Sequence, residues 1–494
     1  MKKILFVFIV IISLLVFCGC ENKNKNVTIV KTPEEFISAI YRYNNNDGII
    51  SATHIALAND LDFSGYTWPI GLEAAKIDGR GHTIKNITIE VSEGKRVAMF
   101  DRIQNLVDIN IENLNITYYG KDGIVGGVSA YHSRYSESPK MFDNVKISGS
   151  IYAPSAVCVG GLIGCAYSDL HRDKEDYPFY VQNTEIDIKI TGGSCVGGAI
   201  GSIIGGLYLI KENNRASCGY EYIFFDNVTN KGDITAKGSF VGGLVGAYYD
   251  KAGTINNCKN LGTIKGDTYV GGLVGDALLT NCINSQNNGE IIVTASSEIE
   301  EVYAGGIAGR LGATEKISGC KNTSDINCEK NYVGGIVGCA VENTKFVECI
   351  NSGKISANDF VGGIAGVALN DSQFILCENN GEIIGSGSIS QAVGGIIGKG
   401  INPFVNMCSN YATINASKCA GGILGKYMMT ITNNDGAVIG CTNTGKIIAS
   451  SDKSYCGGII GLMNDFDMIG LDTNANLGDL VGKYTNDIAS IIEE

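Results

Sequence analysis

The hexapeptide VGGLVG occupies Val241–Gly246 and recurs unchanged at Val270–Gly275. Variants of it carry Gly-Gly pairs beginning at Gly126, Gly160, Gly197, Gly242, Gly271, Gly305, Gly334, Gly362, Gly394, Gly421 and Gly457, 27 to 45 residues apart. A unit of that length cannot bury an apolar face alone, so a chain built this way folds only by stacking unit on unit.

A second segment keeps the same beat. NNCKNLGTI (Asn256–Ile264), ECINSGKI (Glu348–Ile355), LCENNGEI (Leu376–Ile383) and GCTNTGKI (Gly440–Ile447) share Cys-x-Asn-x-Gly-x-Ile. Alignment predicts one column of Val145, Thr184, Val228, Cys258, Cys282, Cys320, Cys349, Cys377, Cys408 and Cys441. A second column holds Asn230, Asn260, Asn284, Asn322, Asn351, Asn379, Asn410 and Asn443. An Ile follows the first column by six residues in most units, but Ile291 comes later after Cys282.

Short segments of Val, Ile, Cys and Gly, with only 6 prolines in the chain, suit buried strands and leave no room for ten-residue helices. Glycine is 66 of 494 residues, about twice the ordinary share, which permits sharp turns and close backbone approach. The expectation is an all-β solenoid of parallel strands. Asparagine tolerates left-handed backbone angles and can bond its counterpart in the next coil, so the asparagine column predicts a ladder at one corner.

The N-terminus reads as targeting rather than fold. Lys2 and Lys3 precede an apolar run from Ile4 to Phe17, followed by Cys18, Gly19, Cys20 and the polar ENKNKN. This resembles a bacterial lipoprotein signal, with Cys20 as the lipidated residue and the membrane as the partner of its acyl chains. The expected division is 1–20 signal peptide, 21–31 flexible tether, 32–462 solenoid with repeats from about 126, and 463–494 C-terminal cap. A closing helix is expected over Tyr484–Glu494.

TPEEFISAIYRY (Thr32–Tyr43) predicts a capping helix, with Thr32 as N-cap, Pro33 in the first turn, Glu35 placed for a capping box, and Phe36, Ile37 and Ile40 on one side. It is followed by IALANDLDFSGYTWPIG (Ile55–Gly71) and IDGRGHTIKNITI (Ile77–Ile89). These strings resemble the opening coils of pectate-lyase-like right-handed parallel β-helices, and the VGGLVG units resemble the GLUG motif of bacterial surface proteins. The resemblance implies a right-handed parallel β-helix on a cell-surface, membrane-anchored protein. It transfers no catalytic residue. Neither the lyase motifs nor HExxH is present, so the metalloprotease activity of some GLUG-bearing proteins does not carry over.

Without Lys2 and Lys3 the chain has 36 basic against 51 acidic residues, a balance of −15 with no basic cluster, which argues against nucleic acid. The 17 cysteines contain no CxxC pair, and those beyond Cys20 recur at coil spacing, so the column from Cys258 to Cys441 predicts buried free thiols rather than a zinc site. No cofactor or metal is expected. DTNANLGD (Asp472–Asp479) faintly suggests a calcium loop, but Leu477 and Lys483 stand where glycine and a bidentate acid are needed.

Three units carry long insertions, at Tyr131–Phe142, Ala166–Val181 and Ile203–Phe225. Leaving one corner in successive coils, they predict a raised rim, the usual place for binding in a repeat protein. Tyr131, His132, Arg134, Tyr167, His171, Arg172 and Tyr220 are its candidate contacts, rings for stacking and cations for acidic or hydroxyl groups. The function expected is a surface adhesin or binding protein for a glycan or host protein. A polysaccharide lyase or hydrolase using Asp169, His171, Arg172 or Asp173, and a passive stalk, are the alternatives.

Overall fold

The computed structural model describes residues 27–44, 54–133, 140–167, 178–204, 223–249, 253–278, 280–296, 298–299, 301–312, 316–387, 391–428, 436–463 and 470–491. It is the expected all-β parallel β-helix, with every described strand pairing parallel in three sheets, of which face A begins at Thr28, face B at Arg96 and face C at Ser129. Face A has 34 short strands because each coil bends across it. Face B has 13 and face C has 12. Each VGGLVG unit crosses from B to C: Tyr269–Gly271 lies in B and Val274–Leu278 in C. Each Cys-x-Asn-x-Gly-x-Ile unit forms the corner-rich face A.

The N-terminal helix α1 (Pro33–Asn44) forms as its capping signals predict. The Glu35 amide donates to Thr32 Oγ1 at 3.2 Å, and Glu35 Oε2 accepts from the Lys31 amide at 2.7 Å. Phe36 and Ile40 are fully buried, with Phe36 against Phe63 and Trp68 at centroid distances of 5.9 and 6.2 Å. The helix therefore covers the apolar end of the first coils. Thr28–Val30, within the stretch read as a tether, is a strand paired with His54–Leu57.

Three glycines per unit are required by close approach, as the coil at Gly271 shows. A Cβ on Gly271 would lie 1.9 Å from the Val274 carbonyl oxygen, one on Gly272 would lie 2.1 Å from the Gly306 oxygen, and one on Gly275 would lie 2.5 Å from the Val241 nitrogen. The first two positions make the B-to-C corner. The third presses face C against the backbone of face B.

The asparagine ladder is present and continuous. Asn230, Asn260, Asn287, Asn322, Asn351, Asn379, Asn410, Asn443 and Asn476 are joined by side-chain bonds, each Nδ2 donating to the next Oδ1 at 2.8–2.9 Å. Each Nδ2 also donates to the backbone carbonyl two residues on in its own coil, as Asn351 does to Gly353 at 2.9 Å. The left-handed angles lie elsewhere. They fall one residue before the cysteine column, at Asn144, Asn183, Asn227, Asn257, Asn284, Gly319, Glu348, Leu376, Met407 and Gly440.

Two alignments are corrected by the register. Cys282 pairs with Ile255 and Ile317, and Asn284 occupies the left-handed position, so neither belongs to its predicted column. Gln286 pairs with Lys259 and Asn287 with Asn260, which places Ser285 beside Cys258. The Cys258 amide donates to Ser285 Oγ at 3.0 Å. Ile291 is then six residues on, in step after all.

The tail also stays in the repeat, and no helix closes it. Ala475–Asn476, Leu480–Val481, Tyr484–Asn486 and Ala489–Ile491 are strands that pair with the coil before. Asn474 takes the cysteine position and accepts from the Cys441 amide at 2.7 Å. The calcium-like DTNANLGD is thus the last face A segment.

All fourteen described cysteines are buried and none is joined to another by a disulfide, which for the column from Cys258 to Cys441 is as expected. Burial pushes the Cys349, Cys377 and Cys408 thiols well above their usual range, so these inward sulfurs stay protonated.

Replacing Asn351 with Leu breaks two ladder links and strands the partner groups of Asn322 and Asn379 in a buried site. The expected loss is about 3 kcal/mol by urea unfolding, and an unchanged midpoint would show that the ladder adds no stability.

Candidate functional site

The strands that flank the three long insertions are neighbours on faces C and A. Ser129–Ser133, Ile163–Tyr167 and Ile200–Ile204 are neighbours on face C, and Lys140–Ala153, Phe179–Gly192 and Ile223–Asn230 are neighbours on face A. Arg134, His171, Arg172 and Tyr220, with Asp169 and Asp173, lie outside the described residues. Tyr167 is placed in the backbone register opposite Ser133 and Ile204.

His132 is not a rim contact. It is 2% exposed and stacks on Phe179 at 4.1 Å, an apolar plug where the strand leaves the coil. Burial, aided by the charges of Lys140 and Arg102, holds its pKa well below the usual histidine range, so it is neutral at pH 7. Tyr131 is half-buried beneath two cations, with Arg96 4.6 Å and Arg102 5.9 Å from the ring centroid. Those guanidiniums are paired in turn, Arg96 with Asp101 at 3.1 Å and Arg102 with Glu73 at 3.2 Å. Tyr131 is therefore braced by the scaffold on this side.

A second surface lies on the outer corner between faces B and C, and sequence reasoning missed it. The residue two before each Gly-Gly pair points outward from face B. In five successive coils it is aromatic: Phe240, Tyr269, Tyr303, Tyr332 and Phe360, all half-buried. Their rings stack at centroid distances of 5.0, 5.2, 5.0 and 5.2 Å, with interplanar angles of 29° or less. The inner rings cover one another's faces, so the column presents ring edges and phenol hydroxyls. Parallel strands about 4.8 Å apart make it roughly 20 Å long.

Beside it, face C carries an outward column that reads Ala247, Asp276, Arg310, Cys339, Val367, Lys399 and Lys426. Asp276 is fully buried. Arg310 grips it through two bonds, Nε to Oδ1 at 2.8 Å and Nη2 to Oδ2 at 2.6 Å, and the Tyr249 hydroxyl donates to Oδ2. The same guanidinium sits 4.9 Å from the Tyr269 centroid. The bonds to Asp276 raise the Arg310 pKa further, so the guanidinium stays charged. The ion pair ties the two columns together and holds the rings in place.

Towards the N-terminal end the same corner holds Cys158, Cys165, Cys195 and Ala247 in a small apolar cluster with Phe240 and Tyr249. Neighbouring thiols push the Cys158 pKa well up, which leaves it an inert filler. Among the described residues no group of three or more His, Cys, Asp or Glu side chains could hold a metal ion. A shallow hollow of about 180 Å³ opens on face A, lined by Glu112, Lys146, Glu185, Asp187 and Lys231 among others. Lys231 is already paired with Glu185 there.

No protein family and no curated protein matches the sequence. One solved structure is similar, that of a putative immunoglobulin A1 protease from Bacteroides ovatus, with 17% identity, a TM-score of 0.40, and coverage of 56% of this chain and 81% of that one.

Removing the guanidinium with Arg310→Met leaves a buried carboxylate held by one hydroxyl. The expected loss is about 3 kcal/mol by chemical unfolding, largely recovered when Asp276→Leu is added. Equal loss in the single and double variants would show that the charge pair is not what supports the corner.

Proposed function

We propose that this chain is a lipid-anchored cell-surface protein of the GLUG-repeat type that binds an extended ligand along the outer corner of faces B and C. The observation that carries the reading is the unbroken column from Phe240 to Phe360. Those rings lie outside the solenoid core, which the inward Val241, Val270, Ala304, Val333 and Val361 already fill. A rigid row of amphipathic rings flanked by charged side chains offers apolar edges, hydroxyl groups and ionic contacts along one line, which suits a glycan chain.

Anchoring follows from Cys20. The apolar run ending at Phe17, the small Gly19 before the cysteine and the polar stretch after it support export and acylation there. The full chain expressed in bacteria fed labelled palmitate should incorporate label, and Cys20→Ala should not. Label retained by the variant would overturn the anchor.

Binding is tested on a glycan array with the full chain and the double variant Tyr303→Leu, Tyr332→Leu. Retention without turnover is expected, and the variant should lose at least tenfold in affinity while its melting temperature stays within a few degrees of the parent. Degradation of a retained polysaccharide would reassign the protein as an enzyme. Unchanged retention by the variant would move the site off the ring column.

A further inference from the structure

The ring column stops abruptly. After Phe360 the next two outward positions on face B are Ala392 and Cys419, and an aromatic returns only at Tyr455, itself stacked on Tyr484 at 5.4 Å. At those same two coils the outward column of face C carries Lys399 and Lys426, directly opposed in the parallel register. Ala392 and Cys419, both buried, thus stand where the rings lapse on face B, and the two lysines lie in the same coils on face C.

Charge balance distinguishes this pair from the rest of the surface. Lys231 is matched by Glu185, Lys354 by Glu382 at 3.0 Å, and Arg310 in the same column by Asp276. Among the described residues, neither Lys399 nor Lys426 makes an ion pair. The Lys399 ammonium instead lies 5.2 Å from the Phe360 centroid, over the ring at the point where the column ends. Each residue is half-buried. Burial, then the charge of Lys426, lowers the Lys399 pKa, which is how an unneutralised cation behaves when its neighbour has the same sign. A chain that carries 51 acidic residues places none of them against this pair among the described residues.

We propose that Lys399 and Lys426, bracketed by Phe360 and Tyr455, form a subsite for the carboxylate or sulfate groups of an acidic polysaccharide. The inference rests on the binding role proposed for the ring column and adds the chemical class of its ligand. An anion placed between the two ammoniums relieves their repulsion and takes charge-assisted hydrogen bonds from both. Anionic groups repeated along a saccharide chain lying parallel to the solenoid axis would meet the lysines at one end and ring edges along the rest.

The test uses the full chain and the variant Lys399→Met, Lys426→Met, which keeps the aliphatic stems and removes both charges. Affinities for polygalacturonate, dextran sulfate and neutral dextran are measured at low salt, with melting temperature as the control for folding. At least one of the two polyanions should bind tenfold or more tighter than dextran to the parent, and the variant should lose that preference while melting as the parent does. The polymer that shows the preference tells carboxylate from sulfate recognition. A preference that survives in the variant, or equal binding of all three polymers to the parent, overturns the lysine subsite and leaves the ring column standing. Failure to bind any of the three overturns both.

Discussion

The structure depends on a buried row of amides that can satisfy one another only if the coils are held at strand spacing. A carboxamide sealed from water needs partners for its donors and its acceptor. Each ladder asparagine meets that need with one bond to the next coil and one to its own backbone. The same side chain explains half of the glycine motif. A Cβ on Gly335 would lie 2.3 Å from Asn351 Cγ, and the same crowding recurs at Gly363 with Asn379 and at Gly395 with Asn410. The second glycine of VGGLVG and the asparagine of Cys-x-Asn-x-Gly-x-Ile are therefore one contact, written in two segments of the sequence.

Where the ladder begins, the fold changes character. Asn230 is its first member, and its Oδ1 is a buried acceptor with no partner. In the two preceding coils Ile186 and Ile147 take the place of the amide, lying 3.0 and 3.5 Å from the Cβ positions of Gly161 and Gly127. Apolar packing tolerates small differences between coils, whereas an amide ladder requires strict repetition. The long insertions belong to the coils that precede the ladder or start it, where strict repetition is not demanded.

This division explains what the sequence made legible. Columns under an inward constraint were readable: the glycines, the isoleucines, most asparagines and the N-capped helix. Errors arose where a residue type matched without its register. Cys282 was aligned by its thiol, but Ser285 fills the same small buried space with a hydroxyl that donates to the Ile283 carbonyl at 2.8 Å. The tail, expected as a cap with a closing helix, carries Asn474 at the cysteine position while Asn476, Gly478 and Leu480 keep the spacing. His132 looked like a ligand contact because loop histidines usually face water, and only the stack on Phe179 reveals it as packing. The ring column was readable as well, since an aromatic stands two residues before Gly242, Gly271, Gly305, Gly334, Gly362 and Gly457. The partnership of Asp276 with Arg310, 34 residues apart, emerges only from the strand register.

The outer corner of faces B and C differs from the rest because no inward demand fixes its residues. Along face B the outward position runs Cys158, Cys195, Phe240, Tyr269, Tyr303, Tyr332, Phe360, Ala392, Cys419 and Tyr455. Face C answers coil by coil, with a thiol beside the thiols, a buried carboxylate and its guanidinium beside the tyrosines, and two lysines where the rings lapse. Between these coils Ala247, Cys339 and Val367 stand opposite Phe240, Tyr332 and Phe360, so the corner changes character along its length from thiols through an ion pair to lysines. The core repeats because amides and glycines allow nothing else. The corner varies because its contacts, such as the bonds from Arg310 to Asp276, join single neighbouring coils and ask for no repetition in the others.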